Sequence, residues 1–95
     1  MPNDHYLAET ERDSIQTRVM RVIAATQSLP VESVTAEKTF ADLKIDSFAG
    51  INIVFELENE FEIVIPDEGA QAMRSVGDAI AGVHQLLDEK RSLSA

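Results

Sequence analysis

Three stretches of this chain place apolar residues three and four positions apart, and the one segment extended enough to be a strand has nothing to pair with. That combination leaves helix packing as the way to bury a core. The first stretch starts near Thr10 and carries Ile15, Val19, Val22 and Ile23, with Met20 beside them. Glu11 and Asp13 fall in its first turn and Arg18 and Arg21 later, both placements that suit a helix dipole. The pattern fades at Gln27 and Ser28, and Pro30 stops it. The second runs from about Ser47 to Phe61. At about 100° per residue, Phe48, Ile51, Val54, Phe55, Leu57 and Phe61 share one broad arc. Asn52, Glu56, Asn59 and Glu60 then lie opposite, and Ile53 falls near the polar side, partly exposed. Glu58 intrudes on the apolar arc with no reason in the pattern. The third opens at Ser75, with Asp78 in a capping-box-like position. Val76, Ile80, Val83, Leu86 and Leu87 form its core face, and Lys90 and Arg91 lie near its end.

The connections are equally informative. Ile63, Val64 and Ile65 precede Pro66 and are therefore extended, a linker anchored in the core. Asp67 and Glu68 open a short helix through about Met73. Residues 28–46 make a connection too long for a plain turn. Its apolar residues Leu29, Val31, Val34, Phe40, Leu43 and Ile45 pin it to the core, and residues 39–43 suit a single helical turn. The expectation is an all-α fold: a small four-helix bundle of three main helices and one short one, with a long first loop. Residues 1–9 are expected as a flexible end, 10–91 as the helical domain and 92–95 as a frayed tail.

Composition narrows the chemistry. The chain has 95 residues and no cysteine, so it offers no disulfide, no thiolate nucleophile and no sulfur-ligated zinc. Its two histidines, His5 and His84, show no ligand spacing, and no metal site is expected. Seventeen acidic residues against eight basic ones give a formal charge of −9. That charge disfavours nucleic acid and anionic membrane surfaces. It favours basic patches on protein partners. No stretch has the apolar length of a membrane span, and the first residues lack the basic-then-apolar pattern of a signal peptide, so the cytoplasm is the expected location.

One short segment asks for an explanation: Lys44-Ile45-Asp46-Ser47-Phe48-Ala49-Gly50, at the start of the second helical stretch. As a nucleophile Ser47 would need a base and an oxyanion hole. His5 lies in the expected loose end, His84 lies deep in the last helix, and the Gly-x-Ser-x-Gly pattern is absent. No catalytic residue is therefore assigned. Ser47 could be an ordinary helix cap. The commoner reading is the cap; the other is a modification site, because the first turn of a helix presents free N–H groups and partial positive charge to an anion. Met20 and Met73 read as core filler. Gly77 and Gly82 read as sites of close helix packing, and His84 as a boundary residue.

The stretch from about Thr35 to Gln85 resembles the acyl carrier proteins. The family centres on Asp-Ser-Leu at the start of its second helix, and this chain reads Ile45-Asp46-Ser47-Phe48. "TFADLKIDS" upstream, "FELENEFEIVIPDE" downstream and "SVGDAI" at the last helix follow the family's order and spacing. The resemblance implies a carrier and no enzyme. It implies a covalent 4′-phosphopantetheine on Ser47, placed by a phosphopantetheinyl transferase, whose thiol holds acyl groups as thioesters. Asp46 would present Ser47 and cap the helix. Leu43, Ile45, Phe48 and Ile51 would frame the arm's exit or an acyl pocket. Acyl-transferring or acyl-modifying enzymes with basic patches would dock at Phe55, Glu56 and Glu60, although Phe55 on the apolar arc also reads as core. The carrier is expected to act as a monomer, without nucleic acid or membrane insertion, in lipid, polyketide or related acyl metabolism.

The chain departs from the family at Phe48, where leucine is preferred, and at Lys44, where glycine is usual. Ala49 and Asn52 replace positions that are often acidic, and Gly50 weakens the helix locally. These departures imply a specialised carrier with its own partners. Two alternatives stay open: a peptidyl, aminoacyl or D-alanine carrier, and an acidic helical interaction module that is not modified.

Overall fold

The computed structural model describes the backbone of residues 3–94 and the side chains of residues 15–91. His5 lies outside the described side chains. Four α-helices occur in this span: α1 (Asn3–Gln27), α2 (Ser47–Phe61), α3 (Asp67–Ala72) and α4 (Val76–Ser94). Three are long and one is short, as the periodicity predicts. A 3-10 turn at Val31–Ser33 is a further element that the apolar pattern does not signal.

Helix α1 begins at Asn3, not near Thr10, and α4 continues through Ser94. Leu7, Ala8 and Glu9 are good helix formers, and neither proline nor glycine interrupts 3–27. Helical propensity thus extends α1 past the point where amphipathic spacing becomes visible. At its other end Ser28 turns left-handed, with φ 55°, and the Leu29 N–H donates to the Ala24 carbonyl at 2.9 Å, closing the helix.

Helices α1, α2 and α4 surround one core. Val19 and Ile23 of α1, Ile53 and Leu57 of α2, and Val76 and Val83 of α4 are its largest fully buried side chains, joined by Val34 from the long loop. Pro66 starts α3, and Ile63 and Ile65 before it are buried while Val64 points to solvent, as an extended linker requires. Met73 is buried and Met20 half-buried against the core. An added Cβ at Gly82 would meet Met73 Cε at 2.8 Å, and one at Gly77 would meet the Ala36 carbonyl at 3.1 Å. Both glycines therefore serve close packing.

Residues 28–46 are held at several points. Val34 and Ile45 are buried, and Leu29, Phe40 and Leu43 are half-buried. Val31 is exposed and pins nothing. An antiparallel bridge joins Thr39 to Ser75. The Phe40 N–H donates to the Arg74 carbonyl at 2.9 Å, and the Val76 N–H to the Lys38 carbonyl at 3.0 Å. The loop is thereby fixed to the start of α4. At that start the Asp78 N–H donates to Ser75 Oγ, and the Arg74 N–H donates to the Asp78 carboxylate. Ser75 is the cap its sequence position predicts.

The largest correction concerns α2. Its buried residues are Ile53, Leu57 and Phe61, with Ala49 and Val54 packed beside them. Phe48, Ile51 and Phe55 face solvent, at 75, 56 and 59% exposure. The predicted single apolar arc is in fact two stripes. Ile53, assigned to the polar side, is only 1% exposed. Apolar residues occupy so much of this helix that spacing alone cannot rank one stripe above the other.

Candidate functional site

The start of α2 is built by Asp46. Its backbone is extended, with ψ −179°, and its Oδ1 accepts from the Ala49 N–H at 2.8 Å. Asp46 is therefore the N-cap, and Ser47 is the first helical residue. The Ser47 side chain is exposed, and its hydroxyl makes no hydrogen bond among the described residues. Capping does not explain the serine, because the aspartate already does that work.

The turn before the cap keeps a left-handed residue, Lys44, with φ 60°. A lysine there costs about 1 kcal/mol of backbone strain that glycine would not incur. The departure at position 44 thus leaves the turn in a glycine-like conformation. Asp42 braces the same loop. The Thr39 N–H donates to its Oδ2 at 3.1 Å, and the Asp42 N–H donates to Thr39 Oγ1 at 2.9 Å. The Thr39 backbone donor and then the Thr39 hydroxyl hold the Asp42 carboxyl below the usual carboxylate range.

A cleft of about 850 Å³ opens beside Ser47, between α2 and α3. Ser47 and Asp46 stand at its rim. Gly50, Val54 and Phe55 line it from α2, Ile45 and Phe40 from the long loop, and Ala70, Gln71, Met73 and Arg74 from α3 and the chain after it. Of the four predicted pocket residues, Ile45 and Ile51 line the cleft. Leu43 and Phe48 do not: Leu43 is half-buried in the core and Phe48 points into water. The far wall was not foreseen. The one sequence signal of the cleft lies on its near wall, Gly50, an unfavourable residue early in a helix.

Glu58 explains itself in three dimensions. Its carboxylate accepts from the Ile65 N–H at 2.8 Å, satisfying the extended linker's backbone. The predicted docking residues divide. Phe55 is exposed, which removes its core reading, and Glu56 is exposed with no ion pair among the described residues. Glu60 is engaged within the chain: Arg18 Nε donates to Glu60 Oε2 at 2.7 Å, and its Nη2 donates to the Glu60 carbonyl at 2.9 Å. The same guanidinium lies 4.4 Å above the Phe61 ring centroid. With both side chains about two-fifths exposed, this clamp is worth up to about 1 kcal/mol.

Among the described residues no histidine lines the Ser47 cleft; His84 is half-buried on α4. No cluster of three potential metal ligands occurs among the described residues. None of the described helices is long and apolar enough to cross a membrane.

Residues 17–83 match the phosphopantetheine attachment site family. An acyl carrier protein of Kineococcus radiotolerans is 39% identical over 72 residues, covering 75% of this chain and 89% of that protein. One from Rickettsia bellii is 36% identical over 69 residues, covering 72% of this chain and 80% of that protein. The crystal structure of an acyl carrier protein from Thermotoga maritima superposes with a TM-score of 0.72 at 32% identity, covering 83% of this chain and 93% of that one. A phosphopantetheine-bearing helical carrier is thus the class that fold and sequence define. This chain belongs to the acyl carrier protein family, whose members are carriers with a covalent 4′-phosphopantetheine and not catalysts.

Proposed function

We propose that Ser47 is the attachment point of the 4′-phosphopantetheine arm and that the chain carries acyl intermediates to partner enzymes of lipid, polyketide or related acyl metabolism. One observation carries this reading. The Ser47 hydroxyl is exposed, unbonded and unused by the fold, at the rim of a largely apolar cleft. The arm supplies a terminal thiol, which the cysteine-free chain lacks and which forms the thioester. The chain's own part is placement. Asp46 holds the first turn of α2 so that Ser47 stands free for a phosphopantetheinyl transferase. The free N–H groups of that turn favour a phosphate beside Ser47. Ile45 and Ile51 offer apolar surface to cargo.

Docking falls to the outer stripe of α2. Phe48, Ile51 and Phe55 supply apolar area, and Glu56 supplies charge for a basic patch on the partner. Glu60 takes a smaller part because Arg18 already pairs with it. The carrier acts as a monomer in the cytoplasm, and the helical domain of residues 10–91 is its working unit.

Intact-mass analysis tests the reading, after incubation with coenzyme A and a broad-specificity phosphopantetheinyl transferase. The expected result is one phosphopantetheine mass gain that disappears in Ser47→Ala. No gain in a folded chain, including with a transferase from the source organism, would support the unmodified interaction module instead. Mass spectrometry of the arm isolated from cells would separate acyl cargo from aminoacyl or peptidyl cargo.

A further inference from the structure

Glycine inside a helix weakens it, so its presence calls for a reason. Two reasons are common: a backbone angle that other residues avoid, and a neighbour too close for a side chain. Gly82 and Gly77 have the second. Gly50 has neither. No glycine among the described residues has a positive φ, and an added Cβ at Gly50 would meet no heavy atom within 4 Å. The empty space in front of Gly50 belongs to the cleft, one helical turn along α2 from Ser47. Across it stand Ala41 and Ala70, also with little side chain, and Val54 and Met73 add apolar surface.

We propose that Gly50 is a specificity-determining residue that keeps the cleft wall open, so that the protein takes acyl groups bulkier than a straight alkyl chain. This inference rests on the carrier reading of Ser47 given above. A cargo that packs in the folded cleft raises the melting temperature of the loaded protein over that of the unloaded one, because the unfolded chain has no cleft. A side chain at position 50 removes width before it removes length. A narrow chain can still thread past it, and a wide one cannot.

The experiment compares n-octanoyl with phenylacetyl, two cargoes of equal carbon number and different width. Each is transferred with its arm from the corresponding acyl-coenzyme A to the unsubstituted chain, Gly50→Ala and Gly50→Leu. Intact mass verifies loading before melting is followed by circular dichroism. In the unsubstituted chain both cargoes raise the melting temperature. In Gly50→Leu the phenylacetyl increment is lost while at least half of the octanoyl increment remains, and Gly50→Ala falls between. The unloaded Gly50→Ala protein melts above the unsubstituted one, which separates helix propensity from cargo fit. An unchanged phenylacetyl increment in Gly50→Leu overturns the inference. So does equal loss of both increments, or the absence of a phenylacetyl increment in the unsubstituted chain. If the unsubstituted chain gains no mass at all, the carrier reading itself fails, and this inference falls with it.

Discussion

Helix α2 carries two apolar stripes with opposite fates. Ile53, Leu57 and Phe61 pack between α1 and α4, while Phe48, Ile51 and Phe55 stand in water. The residue types are interchangeable by hydropathy, so composition does not separate them. What separates them is which stripe finds a complementary surface within the chain. Leaving a large apolar side chain in water forgoes about 2 kcal/mol of burial. Three such residues in one stripe, beside an exposed Ser47, are the surface to which the proposed docking role falls. The inner stripe holds the fold together and the outer one leaves it almost untouched.

The sharpest way to break this division is truncation on each stripe. Leu57→Ala removes a fully buried side chain and should cost about 3 kcal/mol, read as a lower urea midpoint. Phe55→Ala should cost less than about 0.5 kcal/mol in the same measurement, yet weaken binding to a cognate acyl-handling enzyme. Equal losses of stability would mean that the stripes are wrongly divided.

The same contrast between holding and presenting recurs at adjacent residues. Asp46→Ala deletes the N-cap and should lower stability by about 1 kcal/mol. Ser47→Ala should leave stability within about 0.5 kcal/mol while abolishing the phosphopantetheine mass gain. A Ser47→Ala protein as unstable as Asp46→Ala would return the serine to a structural role. Beside them, Lys44→Gly should raise stability by about 0.5 kcal/mol. It relieves the left-handed strain and loses part of the gain to the greater freedom of glycine in the unfolded chain.

The smallest expected effect is pH-dependent. The folded-state pKa of Asp42 lies below its unfolded value, first because the Thr39 N–H donates to it and then because of the Thr39 hydroxyl. The stability it contributes is therefore present above the unfolded carboxylate pKa. It is lost as pH falls through that value and on through the folded one. Urea titrations repeated across the acid range should show a shallower decline for Asp42→Asn than for the parent. Identical slopes would remove Asp42 from the acid response.

Much of the architecture was legible because it is local. Pro30 and Pro66 bound their helices by geometry that no tertiary context can rescue. Asp46 and Ser75 cap by bonds that reach only three residues, which is why α2 begins where its sequence says. The Asp46-Ser47 start of α2 was legible for the same reason, being one turn and one cap. The cleft was not. Its walls come from segments scattered between Phe40 and Arg74, and only Gly50 hinted at it. Glu60 could not be seen as paired, since Arg18 lies 42 residues away. Glu58 could not be assigned before the linker folded back to offer it the Ile65 N–H.

The sequence alone determined the helices, their caps and the place of Ser47, because hydrogen bonds and backbone preferences act over a few residues. Only the tertiary structure decided which apolar face of α2 became core, which acids remained free and where the cleft opened. Those outcomes depend on shape complementarity between distant segments, and hydropathy carries no information about shape.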